Sequence, residues 1–255
     1  MKGKTVIVTG GSNGMGKGMA ARFCQEGANV VIIGRDVEKL ENTKKEIETF
    51  EGQVLPISMD VRNLEQVEDM VKKTKETFGQ IDHLVNNAAG NFLVNAEDLS
   101  VNGWKSVIDI VLNGTWYCTQ TVGKEWIKDG HKGSIVNIVT TYTQTGAAGV
   151  IHSASAKAGV VAMARTLAVE WGERYGIRVN CIAPGPIEDT GGTDKLILSE
   201  KMHKMALQSV PLKRFGRLDE IASLAKFLLS EESGYINGDV ITIDGGQSLN
   251  GSRFM

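Results

Sequence analysis

Short apolar runs, many of them rich in valine and isoleucine, alternate with amphipathic stretches along almost the whole chain. Several runs are apolar throughout, which is typical of strands buried on both faces of a parallel sheet. The pattern predicts strands at residues 5–8, 30–33, 54–58, 83–85, 134–139, 178–182 and 240–243. It predicts helices at residues 16–26, 37–50, 64–78, 104–127, 153–173 and 219–229. This alternation indicates an α/β fold, a doubly wound, seven-stranded parallel sheet with helices on both faces.

No linker, composition break or repeat interrupts the pattern, so we expect residues 1–255 to form a single domain. The net charge of −2 gives no reason to expect nucleic acid or an anionic membrane surface as a partner. The three cysteines are far apart and read as reduced core residues of an intracellular protein. No apolar window approaches about 18 residues, and the apolar run behind the basic start is too short for a secretory leader. We therefore expect a cytoplasmic protein.

A glycine-rich loop, TGGSNGMG, follows the first predicted strand. Glycines there permit a tight turn and let the backbone approach a pyrophosphate, whose charge rests on the N-terminus of the next helix. Such a loop could be merely a turn, but its place between a strand and a helix favours a Rossmann-type dinucleotide site. The loop residues expected to bind the cofactor are Gly10, Ser12, Asn13, Gly14, Met15 and Gly16.

The end of the second predicted strand indicates which dinucleotide is bound. An acid at this tip binds the ribose hydroxyls of NAD, whereas an arginine accommodates the 2′-phosphate of NADP. Gly34 occupies the tip and Arg35 follows it, so the sequence predicts NADP(H). Asp36 could be mistaken for the acid that binds the ribose hydroxyls of NAD. It could instead be the N-cap of the following helix.

Ordered motifs make the chain resemble the short-chain dehydrogenase/reductase family over essentially its whole length. The glycine loop resembles the family's TGxxxGxG, residues 86–90 its NNAG segment, and residues 184–187 the PG segment that flanks the nicotinamide. Residues 236–238 and 243–246 extend the resemblance towards the end of the chain. It implies cofactor contacts from Asp60, Val61, Asn87, Lys157, Pro184, Gly185 and Ile187. It also implies a homotetramer.

The chain departs from the family at the catalytic helix. Ketone and alcohol dehydrogenases of the family carry Tyr-x-x-x-Lys, in which the ammonium lowers the phenol pKa from about 10. Lys157 is present, but position 153 is serine, whose hydroxyl is too weak an acid for that task. Val111 likewise stands where the pattern has asparagine, and Asn113 would point about 200° around the helix. A standard carbonyl reductase is therefore not expected.

These departures resemble one branch of the family, the NADPH-dependent 2,4-dienoyl-CoA reductases. The matching stretches are NNAAGNF, VIDIVLNGT and SASAKAG, at residues 86–92, 107–115 and 153–159. The resemblance implies that Tyr142, Asn91, Lys157 and Ser153 are catalytic. Tyr142 and Asn91 would stabilise the oxygen of a dienolate, and the product would be a 3-enoyl-CoA in the degradation of unsaturated fatty acids.

An acyl-CoA substrate carries several phosphate charges, so cationic groups are expected near the mouth of the site. By resemblance, the substrate contacts are Arg62, Phe92, Ser100 and Lys195. Residues 188–209 are expected to form a partly helical substrate lid. The four histidines share no ligand spacing, so we expect no metal site.

Alternative interpretations stay open at this point. Tyr142 could be an exposed loop tyrosine, and Asn91 a turn residue. The chain could also reduce other enoyl or 3-oxoacyl thioesters, or it could bind NADP(H) without catalysis.

Overall fold

The computed structural model describes residues 1–48, 50–191 and 199–250. Within them, seven parallel strands form one sheet in the order β3-β2-β1-β4-β5-β6-β7. The strands are β1 Thr5–Thr9, β2 Asn29–Gly34, β3 Val54–Ser58, β4 His83–Asn86, β5 Ser134–Ile138, β6 Arg178–Pro184 and β7 Val240–Ile243. The predicted doubly wound sheet in a single domain is confirmed, and several strands are one or two residues longer than predicted.

Helices cover both faces of the sheet. They are α1 Gly14–Gln25, α2 Val37–Ile47, α3 Leu64–Phe78, α4 Val101–Ile108, α5 Gly114–Asp129, α6 Tyr142–Thr145, α7 Ile151–Tyr175, α8 Glu200–Ser209 and α9 Leu218–Leu229. One core packs α3, α5 and α7 against the sheet, and the other packs α1, α2 and α9. Successive residues of β1 point into opposite cores: Ile7 lies in the first, and Val6 and Val8 lie in the second.

The predicted helix over residues 104–127 is confirmed, but it contains a π-helical turn at its centre. A π-helical segment, Asp109–Asn113, separates α4 from α5, and such segments are frequent at functional sites. The Asn113 side chain donates to Asp109 Oδ1 at 2.9 Å, so its amide is bonded within its own helix. Val111 is buried in the apolar core.

The carboxyl ends of all seven strands meet at one edge of the sheet. The strand order reverses between β1 and β4, and ligands of such folds bind in the crevice at this point. The α8 helix lies in the segment 188–209 that was expected to form a lid. Residues 192–198 of that segment, including Lys195, lie outside the described residues. No helix in the described part of the chain is both long and apolar enough to cross a membrane.

Candidate active site

The glycine loop after β1 opens into a cleft of about 660 Å³ at the strand-order reversal. Gly10 has a positive φ of 65°, and a Cβ added there would lie 2.9 Å from Asn87 Nδ2. A Cβ on Gly16 would collide with the carbonyl oxygen of Gly10. Only glycine lets the loop and the start of α1 approach this closely, as a dinucleotide cradle requires. The volume also suits a cofactor site.

Hydrogen bonds hold the loop after β4 against this cradle. Asn87 Nδ2 donates to the carbonyl oxygens of Thr9 and Gly10 at 3.0 and 3.2 Å. Thr9 Oγ1 accepts from the backbone nitrogens of Asn87 and Ala88 at 2.9 and 3.0 Å. The two loops therefore form one rigid wall of the cleft.

Most of the predicted cofactor residues line this cleft: Gly10, Ser12, Asn13, Gly14, Met15, Arg35, Asp60, Val61 and Asn87. The predicted contacts that lie outside its lining are Gly16, Lys157, Pro184, Gly185 and Ile187. Sequence reasoning missed Lys39 and Thr190, which do line it. Lys39 could have been found as a second cation near Arg35, in the first turn of the next helix.

Two cations follow β2: Arg35 comes directly after the strand, and Lys39 lies in the first turn of α2. Arg35 and Lys39 are both exposed and both line the cleft. The carboxylate of Asp36 caps α2, because Oδ1 accepts the N–H of Lys39 at 3.1 Å, and this bond lowers the Asp36 pKa. The N-cap interpretation of Asp36 is thus confirmed.

Arg62, expected at the substrate, is paired with Asp60 in the structure. Its Nε and Nη2 lie 3.0 and 2.6 Å from Asp60 Oδ2, in a forked arrangement. The hydrogen bond from Arg62 lowers the pKa of Asp60. Arg62 itself does not line the cleft.

Tyr142, Ser153 and Asn91 converge beside the cleft. Tyr142 begins the short helix α6 directly after β5, and its hydroxyl oxygen lies 3.0 Å from Ser153 Oγ in the first turn of α7. Asn91 Nδ2 lies 3.5 Å from the same hydroxyl, which is long for a hydrogen bond. Asn91 lines the cleft, Ser153 is buried, and Tyr142 is half-buried. Tyr142 is therefore not an exposed loop tyrosine.

The hydrogen bonds of these groups determine which protons remain free. Asn91 Oδ1 accepts the N–H of Phe92 at 2.9 Å, so the amide NH₂ faces the Tyr142 hydroxyl. Either hydroxyl of the Tyr142–Ser153 pair could be the donor. When Ser153 donates, the phenol proton is left for an acceptor in the cleft. This arrangement can stabilise an oxyanion.

Lys157 lies one helical turn beyond Ser153 on the same face of α7. Its Nζ donates to the carbonyl oxygen of Ile138 at the end of β5. The side chain is buried, and burial lowers the pKa of the amine to about 8. The amine is thus held at the carboxyl edge of the sheet, with a pKa below its ordinary value.

Phe92 and Ser100, two of the expected substrate contacts, meet at Gly103. A Cβ added to Gly103 would lie 3.1 Å from Phe92 Cζ and 3.2 Å from Ser100 Oγ. Ser100 Oγ is already used as the N-cap acceptor of α4, at 3.0 Å from the Gly103 nitrogen. Phe92 also packs edge to face on His152, a residue that sequence reasoning did not single out. Across the described residues, no three His, Cys, Asp or Glu side chains group as metal ligands.

Comparison with known proteins gives consistent matches. The family model described as Enoyl-(Acyl carrier protein) reductase matches residues 10–248. A Bacillus subtilis protein is 57% identical over 250 residues, which cover 98% of this chain and 98% of that protein. It is named a probable 2,4-dienoyl-CoA reductase, (2E)-enoyl-CoA-producing.

A Danio rerio protein is 42% identical over 247 residues and covers 96% of this chain and 82% of its own length. It is named a peroxisomal 2,4-dienoyl-CoA reductase, (3E)-enoyl-CoA-producing. Among solved structures, a short chain dehydrogenase from Bacillus anthracis superposes with a TM-score of 0.92 at 62% identity. The match covers 96% of this chain and 97% of that one.

Proposed function

This chain belongs to the short-chain dehydrogenase/reductase family, and we propose that it reduces 2,4-dienoyl-CoA thioesters to 3-enoyl-CoA with NADPH. The proposed setting is the degradation of unsaturated fatty acids. The observation that carries the proposal is the convergence of Tyr142, Ser153 and Asn91 beside the cleft, with serine and not tyrosine on the catalytic helix. The names of the Bacillus subtilis and Danio rerio relatives both support the dienoyl-CoA substrate, and the name of the Danio rerio relative supports the 3-enoyl product.

The cleft fits a nicotinamide dinucleotide. The glycine cradle leaves no room for side chains where the pyrophosphate would lie, and Asp60 and Val61 line the cleft next to β3. Arg35 and Lys39 support NADPH over NADH, because their charges complement a 2′-phosphate. Lys157 would hold the nicotinamide ribose, near Pro184, Gly185 and Ile187. Bound there, NADPH would supply a hydride to C5 of the dienoyl group.

Side chains of the site would stabilise the negative charge that develops after hydride addition. Addition at C5 moves an electron pair through the conjugated system to the thioester oxygen. Tyr142 O–H and Asn91 Nδ2–H would donate to that oxygen, while Ser153 donates to the phenol. Removing one such donor typically raises the barrier by about 3–4 kcal/mol. One proton added at C2 completes the 3-enoyl-CoA.

A second product is possible from the same dienolate. Protonation at C4 in place of C2 gives a 2-enoyl-CoA, and the Bacillus subtilis relative is named as a producer of the (2E) isomer. Reaction in D₂O separates the two outcomes. Deuterium at C2 with a C3–C4 double bond supports our proposal, whereas deuterium at C4 with a C2–C3 double bond assigns the other product.

The remaining roles concern substrate access and assembly. Arg62, Phe92 and Ser100 would contact the CoA thioester, together with Lys195, which lies outside the described residues. Residues 188–209 would close over it as a lid. We propose a cytoplasmic homotetramer, without nucleic acid or membrane as partner.

The test is a comparison of three thioesters. Loss of reduced-nicotinamide absorbance is followed with a 2,4-dienoyl-CoA, a 2-enoyl-CoA and a 3-oxoacyl-CoA, with NADPH and with NADH. We expect turnover of the dienoyl-CoA with NADPH. Preference for either other thioester would assign a different reductase, and no turnover with any of them would leave a non-catalytic binding protein.

A further inference from the structure

The imidazole of His152 lies next to the Tyr142–Ser153 pair, and the proposed chemistry gives it no task. It is fully buried at the second residue of α7. Its Nδ1 lies 2.8 Å from the backbone nitrogen of Ser153. Its Nε2 is also buried and has no hydrogen-bond partner among the described residues. A buried ring nitrogen without a partner is costly, so the imidazole needs another explanation.

The contact through Nδ1 supplies a helix cap that α7 otherwise lacks. The first N–H groups of a helix have no partner within it, and the N-cap side chain normally accepts one of them. Val150 is the N-cap residue of α7 and makes no side-chain cap. An unprotonated Nδ1 of His152 accepts the N–H of Ser153 in its place. The ring proton must then be on Nε2.

The other contact of the ring reaches the loop that carries Asn91. Phe92 meets His152 edge to face, with ring centroids 4.4 Å apart and an interplanar angle of 87°. The N–H of Phe92 donates to Asn91 Oδ1 and thereby sets the direction of the amide. One buried imidazole therefore contacts both the turn that carries Ser153 and the loop that carries Asn91.

We propose that His152 is a positioning residue for the reduction, a role that rests on the function proposed above. Its Nδ1 fixes the helical turn of Ser153, and its ring fixes Phe92. Ser153 and Asn91 are thereby kept on either side of the Tyr142 hydroxyl. A displacement of about 1 Å at such a site can lower a rate by about 100-fold.

Two substitutions distinguish the effect of losing the Nδ1 acceptor from the effect of losing the ring itself. His152→Leu removes the Nδ1 acceptor, whereas His152→Asn keeps an acceptor oxygen at the equivalent position. We expect His152→Leu to lower kcat by about 10-fold to 100-fold with little change in KM for NADPH, and His152→Asn to recover most of that loss. Equal losses in the two variants would overturn the proposal. The control is His131→Leu, which removes a half-buried imidazole beside Trp126, outside the site.

A double-mutant cycle tests whether His152 acts through Ser153. If it does, His152→Leu should lower kcat by a clearly smaller factor in a Ser153→Ala background than in the wild type, and the loss that remains is the share that acts through Phe92 and Asn91. The full loss in that background would refute a route through Ser153.

A spectroscopic measurement keeps the proposal testable if His152→Leu fails to fold. The ¹⁵N chemical shifts of the wild-type ring, assigned with His152→Asn, should show protonated Nε2 and unprotonated Nδ1. A proton on Nδ1 would contradict the cap. If the wild-type protein reduced no thioester, the proposed function would be refuted. The ¹⁵N shifts of the ring would still show whether Nδ1 of His152 caps the helix.

Discussion

The hydroxyl groups of Tyr142 and Ser153 lie 3.0 Å apart, although they come from α6 and α7. The serine thus lies beside a phenol and need not replace the absent helix tyrosine as an acid. It contacts a phenol that comes from the preceding short helix α6 and can orient that phenol's proton. In the proposed function the chemistry depends on Tyr142, with Ser153 in a supporting role.

Ser153→Ala should reduce kcat with a 2,4-dienoyl-CoA by about tenfold, because it removes one neutral hydrogen bond to the phenol. Steady-state kinetics check this, with the exposed Ser223→Ala on α9 as the control. A loss as large as that caused by removing the phenol would give Ser153 a direct catalytic role.

Arg35→Asp should shift the cofactor preference towards NADH. Lys39→Ala should raise KM for NADPH by about 10-fold and leave KM for NADH unchanged, because in the proposed function each cation would give one charge-assisted contact to the 2′-phosphate. The control is Lys45→Ala, an exposed cation on α2 outside the cleft. Unchanged preference in Arg35→Asp would refute the phosphate role.

The stability of the fold should depend on the titration of Lys157. Burial lowers the pKa of its amine from 10.5 to about 8, so between these values the unfolded chain binds the extra proton and stability rises with pH. Lys157→Met removes the buried ammonium and should be more stable than the wild type near neutral pH, by about 1–3 kcal/mol. It should also be inactive.

Urea unfolding at several pH values measures this difference. The advantage of Lys157→Met should shrink as the pH rises from 8 towards 10.5. The control is Lys45→Met at the surface. A difference that stays constant over this range would mean that the amine of Lys157 is not perturbed by burial.

Acid should destabilise the protein through His83 at the opposite end of the sheet. Burial lowers the pKa of this imidazole from 6.5 to about 4, although the negative charge of Asp82 acts to raise it. The ring Nδ1 is buried and has no hydrogen-bond partner among the described residues. Between these values the unfolded chain binds the extra proton, so stability falls as the pH falls from 6.5 to 4.

His83→Phe should reduce that loss by about 1–3 kcal/mol, measured as the change in the unfolding free energy between pH 6.5 and 4. The comparison is His203→Phe, which removes an exposed imidazole. If the unfolding free energy of His83→Phe falls between pH 6.5 and 4 as much as that of the wild type, this ring does not cause the loss of stability.

The sheet and the grouping of the candidate site could be predicted because their signals are local. Each strand is an apolar run that ends in a loop, and parallel strands bring those loops to one edge. Tyr142 and Asn91 follow two of these strands, and Ser153 begins the next helix, so the structure brings the three together. Their roles stay predictions.

The partners of individual side chains could not be predicted in the same way. The π-helical segment before Gly114, the bond from Lys157 to Ile138 and the fork between Arg62 and Asp60 all depend on how packed elements meet. His152 gave no signal in the sequence, because a single histidine at the start of a helix has no characteristic spacing. Its meaning comes from the helix cap and ring contact that the fold creates.

The most direct test of the proposed chemistry is the rate of dienoyl-CoA reduction by Tyr142→Phe in a single turnover with NADPH already bound. The substitution removes one hydroxyl and keeps the ring. We predict a rate lower than that of the wild type by about 100-fold to 1,000-fold, with NADPH binding unchanged. A rate equal to that of the wild type would contradict the assignment of Tyr142 as the donor to the thioester oxygen.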